Sequence, residues 1–254
     1  MKEASIPRAV ILTAIPIEYL AVRKHLIDIA ELVHPKGTVY EQGLFNGIYH
    51  DWEICIAEIG PGNHTSAMEA ERAINYFNPE VALFVGIAGG IKDVVLGDVV
   101  AVEKAYGYEK GKVSPMGFLP RPGVGQSSYV IYERAKAEAR KNDWKHRLPP
   151  TDQLNRVKVV AKPIAAGEKV IAETRSDVYE LIKASYSDAV AVEMEGSGFY
   201  EACHANSDLQ FLIIRGISDL LNNKSETDSK GYQEIAATNA SAFAFEVLSK
   251  FKVR

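Results

Sequence analysis

Hydrophobic residues occur in short runs that alternate with amphipathic stretches along the whole chain. Short apolar or alternating runs are typical of strands, and apolar residues three or four positions apart are typical of helices packed on one side. The pattern predicts helices after Pro16 and at residues 64–76, 129–141, 176–184 and 229–251. It predicts strands at residues 9–14, 53–59, 81–86, 98–105, 157–164, 189–192 and 211–214.

The alternation of these elements indicates the class of fold. Strands that alternate with helices form a largely parallel sheet with helices on both of its faces. We find no internal repeat and no convincing boundary, so we expect one α/β domain over residues 1–254. Residues 107–128 are rich in Gly, Pro, Lys and Arg, which predicts a long loop. Long loops inside compact domains are usually functional.

Composition and charge narrow the classes of partner. The formal net charge is −4, so the basic character of nucleic-acid-binding domains is missing. The longest nearly unbroken apolar stretch, at residues 81–91, is too short to span a bilayer, and no apolar signal segment follows the first lysine. Cys55 and Cys203 lie far apart in apolar surroundings, which favours core packing in a reducing compartment. We therefore expect a cytoplasmic protein that binds neither nucleic acid nor membranes.

The glycine segment at residues 86–90 follows a predicted buried strand. It lacks the spacing of a dinucleotide fingerprint and the GK[ST] ending of a P-loop, and no Cys/His group in the sequence has zinc-ligand spacing. We therefore expect no cofactor and no metal. Two explanations of the segment remain open. One is a tight turn with positive φ, which we favour from this segment alone, and the other is a close backbone approach to a small ligand.

Two acidic residues stand near strand ends with an ordinary structural explanation. Glu18 lies in the first turn of the helix that Pro16 begins, where acids commonly stabilise the helix N-terminus. Asp219 follows the strand at residues 211–214, where it would cap a following turn. Open α/β sheets bind ligands at the carboxyl ends of their strands, so a functional role is equally open for Asp219.

A second acidic pair ends the strand predicted at residues 189–192. Glu193 and Glu195 flank Met194, and the alternation of side chains along a strand places them on the same side. A carboxylate at the end of a buried strand is costly unless it is paired or used, and Arg215 is a candidate partner. If the strands are parallel, these elements and the glycine segment all meet at one rim of the sheet.

Six segments, taken in order along nearly the whole chain, resemble the nucleoside phosphorylase and nucleosidase superfamily. They are AIPIE, EIGPGNHTSA, VGIAGGIKDVVLGDVV, AAGEKVI, AVEMEG and RGISD. Within it the chain is most similar to the 5′-methylthioadenosine/S-adenosylhomocysteine nucleosidases. The resemblance implies a three-layer α/β/α sandwich on a mixed sheet, assembled as a homodimer or larger homo-oligomer. It also implies a small-molecule partner, a purine nucleoside or nucleotide with adenine as the expected base.

The resemblance also implies roles for single residues. Asp219 falls on the general acid that protonates N7 of the purine, and Glu18 falls on the glutamate that activates water. Glu195 falls on the residue that binds the ribose hydroxyls. The other expected substrate contacts are Met194 beside the ribose, Ile171 at the adenine edge, and Ala88, Gly89, Val170, Ser218 and Glu193.

The same comparison bears on the type of reaction. Bacterial phosphorylases of this superfamily hold a phosphate-binding arginine where this chain has Glu18, so the resemblance favours hydrolysis. Breaking the glycosidic bond builds positive charge on the ribose and negative charge on the base, which an acid and a base on opposite faces accommodate. Phosphorolysis remains the enzymatic alternative, and a nucleoside-sensing or storage module on the same fold is the non-enzymatic one. Ile87, where the family often has serine, leaves the substrate open.

The 5′ substituent of the substrate is a separate question. Four segments bear on it: VGIAGGIKDVVLGDVV, YGYEKGK, RPGVGQSSY and AAGEKVIAETRSDVYELI. They resemble the nucleosidase domains of bacterial anti-phage effectors, some of which hydrolyse ATP, so the resemblance implies antiviral defence as one expected role. Lys169, Arg121 and Lys112 lie in or near the loops concerned and are candidate ligands of a 5′-polyphosphate. Ordinary solvated lysines and arginines explain them equally well.

These assignments have one geometric consequence. Glu18, Gly89, Glu195 and Asp219 should line a single pocket at the carboxyl rim of the sheet, although they are distant in the chain. A structure in which Glu18 points away from the other two carboxylates would contradict the mechanism.

Overall fold

The computed structural model describes residues 6–115, 117–150, 156–170, 176–221 and 230–253. The strands are β1 (Arg8–Thr13), β2 (Ile27–Val33), β3 (Val39–Asn46), β4 (Asp51–Glu58), β5 (Val81–Gly90), β6 (Val99–Gly107), β7 (Gly111–Ser114), β8 (Gly117–Pro120), β9 (Gly123–Gln126), β10 (Val159–Ala166), β11 (Ala191–Glu193) and β12 (Gln210–Leu220). The helices are α1 (Pro16–Arg23), α2 (Asn63–Phe77), α3 (Tyr129–Ala139), α4 (Asp177–Ser185), α5 (Gly196–His204) and α6 (Lys230–Ser249), with a short 3-10 helix at Asp143–Arg147.

The central sheet is mixed, as predicted. Its strands follow the order β11-β10-β6-β12-β5-β1-β4-β3-β2, and β9 pairs with β6. The middle strands β12, β5, β1 and β4 are parallel to one another, and β6 is antiparallel to β12. Strand β11 pairs with β10 and also, in the antiparallel direction, with the end of β5. The sheet therefore folds back on itself at the carboxyl end of β5, because β11 joins β10 at one edge of the sheet to β5 in its middle.

Helices cover both faces of this sheet and complete the predicted three layers. Alternate residues of the buried strands face opposite sides, so that Val10 and Phe84 belong to one core and Ile11 and Leu83 belong to the other. The first core packs against α2 and α5, and the second packs against α1, α3 and α6. The apolar runs of the sequence are therefore buried on both sides, as expected for an α/β sandwich.

Two expectations about glycine-rich segments were wrong. Residues 107–128 are not a long loop, because β7 and β8 form a hairpin and β9 adds to the main sheet beside β6. The segment at residues 86–90 is not a tight turn. It continues β5 through Gly90, and none of its glycines has positive φ. The absence of a Cβ at this segment leaves room for neighbouring side chains, and the second explanation, a close backbone approach to a small ligand, stays a prediction.

Other elements were missed by the pattern. Strands β2 and β3 lie at the edge of the sheet and leave much of their surface exposed, so their apolar periodicity is weak. Helix α5 begins at Gly196 and has Gly198 in its first turn, and glycine is a poor helix former. Cys55 and Cys203 are buried and free, as expected. Among the described residues, no helix is both long enough and apolar enough to cross a membrane.

Gly216 supplies a test of how closely β12 and α6 pack. A Cβ at this position would lie 2.0 Å from the carbonyl oxygen of Ala236, so Gly216→Ala forces strand and helix apart. We expect a loss of about 1–3 kcal/mol in the free energy of unfolding. The matched control is Gly231→Ala on α6, where nothing lies within 4 Å and alanine should be neutral or slightly stabilising. Equal melting temperatures for the two variants would contradict this packing.

Candidate active site

A cavity of about 360 Å³ opens where β1, β5 and β12 end. Its walls come from the start of α1, the end of β5, the β11–α5 junction and the end of β12. The lining residues are Ala14, Ile15, Glu18, Pro61, Ile87, Ala88, Gly89, Lys169, Val170, Val192, Glu193, Met194, Glu195, Ser218, Asp219, Leu221 and Gln233. The predicted convergence of Glu18, Gly89, Glu195 and Asp219 on one pocket is therefore observed.

The remaining predicted residues divide into three groups. Ala88, Val170, Glu193, Met194, Ser218 and Lys169 also line the cavity. Lys112 and Arg121 are not among the lining residues, because Lys112 lies on β7 and Arg121 directly follows β8. Ile171 lies outside the described residues.

We had expected parallel strands alone to bring these residues to one rim of the sheet, and this expectation was wrong. Strand β11 is antiparallel to β5, with Val192 opposite Gly89 and Ala191 opposite Gly90. Because β11 therefore runs back along the end of β5, Glu193 and Glu195 are carried toward Arg215 instead of away from it. The folded-back sheet edge is what joins the VEME segment to the rest of the site.

Arg215 is the centre of the site. Its side chain is fully buried in the middle of the apolar strand β12, and its guanidinium carbon lies 4.5 Å from the ring centre of Phe84. Its Nη2 donates to Glu193 Oε2 and to Glu195 Oε2, the latter over 3.1 Å. Both glutamates are buried, so one guanidinium holds two carboxylates away from water.

Glu18 is held by the backbone of two elements. Its Oε2 accepts hydrogen bonds from Ala14 N over 2.7 Å and Ile15 N over 3.2 Å, and its Oε1 accepts from Ile87 N over 2.8 Å. The first two bonds stabilise the N-terminus of α1, so the capping explanation is correct as far as it goes. The third bond ties Glu18 to β5, which a cap alone does not require.

Glu193 and Glu195 are fixed in the same way. Glu193 accepts hydrogen bonds from the backbone N–H groups of Glu195 and Gly196, which open α5. Glu195 Oε1 accepts from Gly62 N over 3.2 Å, at the start of α2. The three buried glutamates thus each lie at a helix N-terminus, where partial positive charge favours the carboxylate.

Two glycines of β5 leave space for these side chains. A Cβ on Gly86 would lie 2.1 Å from Arg215 Nη1 and 2.6 Å from Glu18 Oε1. A Cβ on Gly89 would lie 3.2 Å from Asp219 Oδ2. One end of the glycine segment therefore faces Glu18 and Arg215, and the other end faces Asp219.

Asp219 is positioned by an irregularity in β12. Ile217 pairs with Ala88 and Asp219 pairs with Gly89, so Ser218 is an extra residue on the β12 side. Bulges of this kind redirect side chains and occur beside active sites. Ser218 Oγ donates to Asp219 Oδ1 over 2.9 Å. Asp219 is half-buried at the cavity wall, in contrast to the deeply buried Glu18.

Burial and charge act against each other in this group. Burial raises the pKa of Glu18, and Arg215 together with the three backbone hydrogen bonds opposes that rise. Burial also raises the pKa of Glu195 to about 7, while Arg215 lowers it and the nearby Glu193 and Glu18 raise it further. A single arginine is shared by three carboxylates, so the site holds a proton more readily than solvent-exposed glutamates do.

Sequence reasoning named Arg215 as a candidate partner of the glutamates but did not place it at the centre of the site, and it assigned no role to Gly62. An arginine inside the apolar run Phe211–Gly216 was the available signal, because a buried charge requires a partner. No comparable signal marks Gly62, whose contribution depends on the position of α2.

One acidic group elsewhere has spacing suited to a metal ion. Glu138, Asp143 and Glu246 bring carboxylate oxygens within 4.8 Å of one another. Lys250 forms an ion pair with each of the three, at 2.8 to 3.0 Å. The ammonium group of Lys250 accounts for this cluster without a metal.

The raised pKa of Glu195 predicts how stability depends on pH. Between pH 4.5, its ordinary pKa, and about pH 7 the folded protein keeps a proton that the unfolded chain has released. The free energy of unfolding should therefore fall as pH rises through this window, with up to about 3 kcal/mol from Glu195.

Urea titrations at several pH values of the wild type, Glu195→Gln and Glu201→Gln test this expectation. Glu201 is an exposed residue of the same helix and serves as the control. The slope should become flatter in Glu195→Gln and stay unchanged in Glu201→Gln. An unchanged slope in Glu195→Gln would contradict the assignment.

Known proteins share both the sequence pattern and the fold. Residues 8–251 match the model of the family described as the phosphorylase superfamily. A 5′-methylthioadenosine/S-adenosylhomocysteine nucleosidase of Staphylococcus saprophyticus subsp. saprophyticus is 29% identical over 238 residues, covering 88% of this chain and 92% of that protein.

Two solved structures have the same fold. The nucleosidase of the same name from Neisseria meningitidis, in complex with methylthio-immucillin-A, has a TM-score of 0.78 at 20% identity and covers 97% of this chain and 100% of its own. Futalosine hydrolase of Helicobacter pylori has a TM-score of 0.76 at 21% identity, with 97% and 99% covered. The match over residues 8–251 shows that the chain belongs to the phosphorylase superfamily.

Proposed function

We propose that this protein hydrolyses the N-glycosidic bond of an adenine nucleoside. The observation that carries the proposal is the placement of Glu18 and Asp219 at the two ends of one glycine segment. Both carboxyl groups also line the one cavity, together with Glu195. Inverting glycosidases likewise use an acid and a base carboxyl on opposite sides of the sugar, with room between them for a water.

The residues divide the reaction between them as follows. The bond from C1′ to the base nitrogen breaks with its electron pair moving to the base, and the carboxyl group of Asp219, as the general acid, donates a proton to N7. A water oxygen bonds to C1′ and loses its proton to Glu18. The carboxylate of Glu195 holds the ribose hydroxyls and stabilises the positive charge that develops on the sugar. Exchange of protons with solvent then restores Asp219 and Glu18.

The geometry near Gly86 supports Glu18 as the group that receives the proton from water. Glu18 Oε1 and Arg215 Nη1 occupy the room that the missing side chain of Gly86 leaves, 2.6 and 2.1 Å from where its Cβ would be. Among the described residues, Arg215 Nη1 has no hydrogen-bond acceptor. Glu18 lines the cavity with this buried cation beside it, so its carboxylate is held in place to take a proton from a water that approaches from the cavity side.

The charges at the cavity favour hydrolysis over phosphorolysis. Lys169 is the one cationic residue among the described lining residues, and its Nζ is 2.7 Å from Glu109 Oε1. The charge of Arg215 is balanced by Glu193 and Glu195. A phosphate ion would therefore meet carboxylates and no unpaired cation. The relatives named as nucleosidases support the same choice.

A sensing or storage module accounts less well for these residues. Such a module needs shape and hydrogen bonds, and it gains nothing from several carboxylates gathered around one buried arginine. Burying these charges costs stability, and catalysis is the use that explains retaining them.

The 5′ substituent that fits this cavity best is uncharged, as in 5′-methylthioadenosine. Val170 lies at the mouth, and Lys169 is 65% exposed and paired with Glu109. A nucleotide is the second candidate, because Lys169 does line the cavity and would release Glu109 to meet a phosphate. A role in antiviral defence through nucleotide cleavage depends on this second candidate.

The assembly and location follow from other observations. Val113, Leu119 and Val124 on β7, β8 and β9 are exposed apolar side chains, which supports a homodimer or larger homo-oligomer. Two buried free cysteines support a reducing, cytoplasmic location. Sedimentation analysis of the purified protein tests the assembly.

Product analysis tests the reaction. With 5′-methylthioadenosine and no phosphate, the wild type should release adenine and the free sugar, and added phosphate should not accelerate it. Asp219→Asn cannot donate the carboxylic proton and should lower kcat by about 10²-fold or more. Asp208→Asn, at an exposed position before β12, is the control and should keep full activity. Turnover that requires phosphate would overturn hydrolysis, and activity within about twofold in Asp219→Asn would show that it is not the acid.

Paired substrates test the 5′ substituent. The wild type should have a kcat/KM for 5′-methylthioadenosine at least about tenfold above that for AMP, a difference of roughly 1.4 kcal/mol. Lys169→Ala should lower turnover of AMP further and leave that of 5′-methylthioadenosine unchanged. Lys112→Ala, a change outside the cavity lining, should affect neither substrate. Equal or better turnover of AMP by the wild type would favour the nucleotide candidate.

A further inference from the structure

Asn63 joins three segments behind the ribose end of the cavity. Its Nδ2 donates to Gly167 O over 3.1 Å, and its Oδ1 accepts from Gly198 N over 3.0 Å. Its backbone N–H donates to Glu168 Oε1, also over 3.1 Å. Asn63 is the first residue of α2, so one side chain links α2, the segment after β10 and the first turn of α5.

Each linked segment supplies a part of the cavity. Gly62, directly before Asn63, donates its N–H to Glu195 Oε1. Helix α5 begins after Glu195, and the segment after β10 carries Lys169 and Val170 at the cavity mouth. Asn63 itself does not line the cavity. Its influence on the substrate would therefore pass through Glu195 and the mouth segment.

The packing at this junction leaves little freedom. A Cβ on Gly198 would lie 1.8 Å from the carbonyl oxygen of Asn63, so α2 and α5 approach at backbone distance. Gly62 has a φ of 107°, a conformation that few residues other than glycine adopt. A Cβ on Gly167 would lie 2.2 Å from the Tyr108 ring, so this segment is also fixed from its other side.

We propose that Asn63 is a positioning residue that sets the hydrogen bond from Gly62 to Glu195 and the placement of the cavity mouth. The proposal rests on the proposed function for its effect on catalysis. Glu195 is faced by Arg215 from β12, Glu193 from β11, Glu18 from α1 and the Gly62 N–H from α2. The Gly62 bond is the member of this group that depends on the orientation of α2.

Two variants separate the functions of the amide. Asn63→Ala removes both side-chain bonds and should reduce kcat/KM for 5′-methylthioadenosine by about 10- to 100-fold, mainly through KM. Asn63→Asp keeps an acceptor for Gly198 N–H but has no donor for Gly167 O, so it should disturb the mouth and raise KM to a smaller extent. Asn75→Ala is the control, because Asn75 lies on the same helix and bonds only to Glu71 among the described residues.

The pH dependence distinguishes positioning from a merely structural role. The Gly62 hydrogen bond lowers the pKa of Glu195, so its loss in Asn63→Ala should move the acidic limb of kcat/KM upward by about one pH unit. In a urea titration without substrate, the upper end of the window in which stability falls with pH should rise by the same amount, while the lower end, set by the unfolded chain, stays in place. A structural role alone would lower the melting temperature and leave both profiles in place.

The outcomes are separable from those of the proposed function. If the wild type releases no adenine, the proposed function fails, and the substrate-free stability profile still tests Asn63. If the wild type is active, wild-type KM and an unshifted pH profile in folded Asn63→Ala would overturn the positioning role. A rise in KM together with the upward shift, with Asn75→Ala unchanged, would support it.

Discussion

The ion pairs of Arg215 are the interaction on which the rest of the site depends. A fully buried guanidinium on a central strand must have acidic partners, because an unpaired charge in the core would cost several kcal/mol. Glu193 and Glu195 meet this need, and they reach Arg215 only because β11 turns back along the end of β5. The cluster of Arg215, Glu193 and Glu195 depends on three features. They are the folded-back sheet, the absence of a side chain at Gly86, and the starts of the two helices that donate N–H groups to the glutamates.

One arginine does not neutralise three glutamates, and the backbone provides the remainder. Glu18, Glu193 and Glu195 each accept N–H hydrogen bonds at the start of a helix. These bonds require no additional cation, so the cavity stays acidic while its carboxylates stay fixed. An acidic cavity stabilises a sugar that becomes positively charged, and it repels a phosphate ion. The same network of carboxylates therefore explains both how the site is held together and why water, rather than phosphate, attacks the sugar.

The sequence predicted the sandwich, most strands of the core and a single pocket for four distant residues. Apolar runs such as Val81–Val85 predict the core strands from local sequence, because a strand that is buried on both faces is apolar at every position. The direction of β11, the bulge at Ser218 and the contribution of Gly62 are products of tertiary packing that no local pattern contains. For the same reason, the glycine segment at residues 86–90 suggested a turn and proved to be strand.

The central claim is that a nucleoside lies between Asp219 and Glu18, with its ribose on Glu195. A crystal structure with a non-hydrolysable adenine nucleoside analogue tests this most directly. The account predicts N7 of the base within about 2.6–3.2 Å of an Asp219 carboxyl oxygen, ribose hydroxyls on Glu195, and a water between Glu18 and C1′. A base bound at the Glu18 end, or an Asp219 carboxyl out of hydrogen-bond reach of the base, would contradict it.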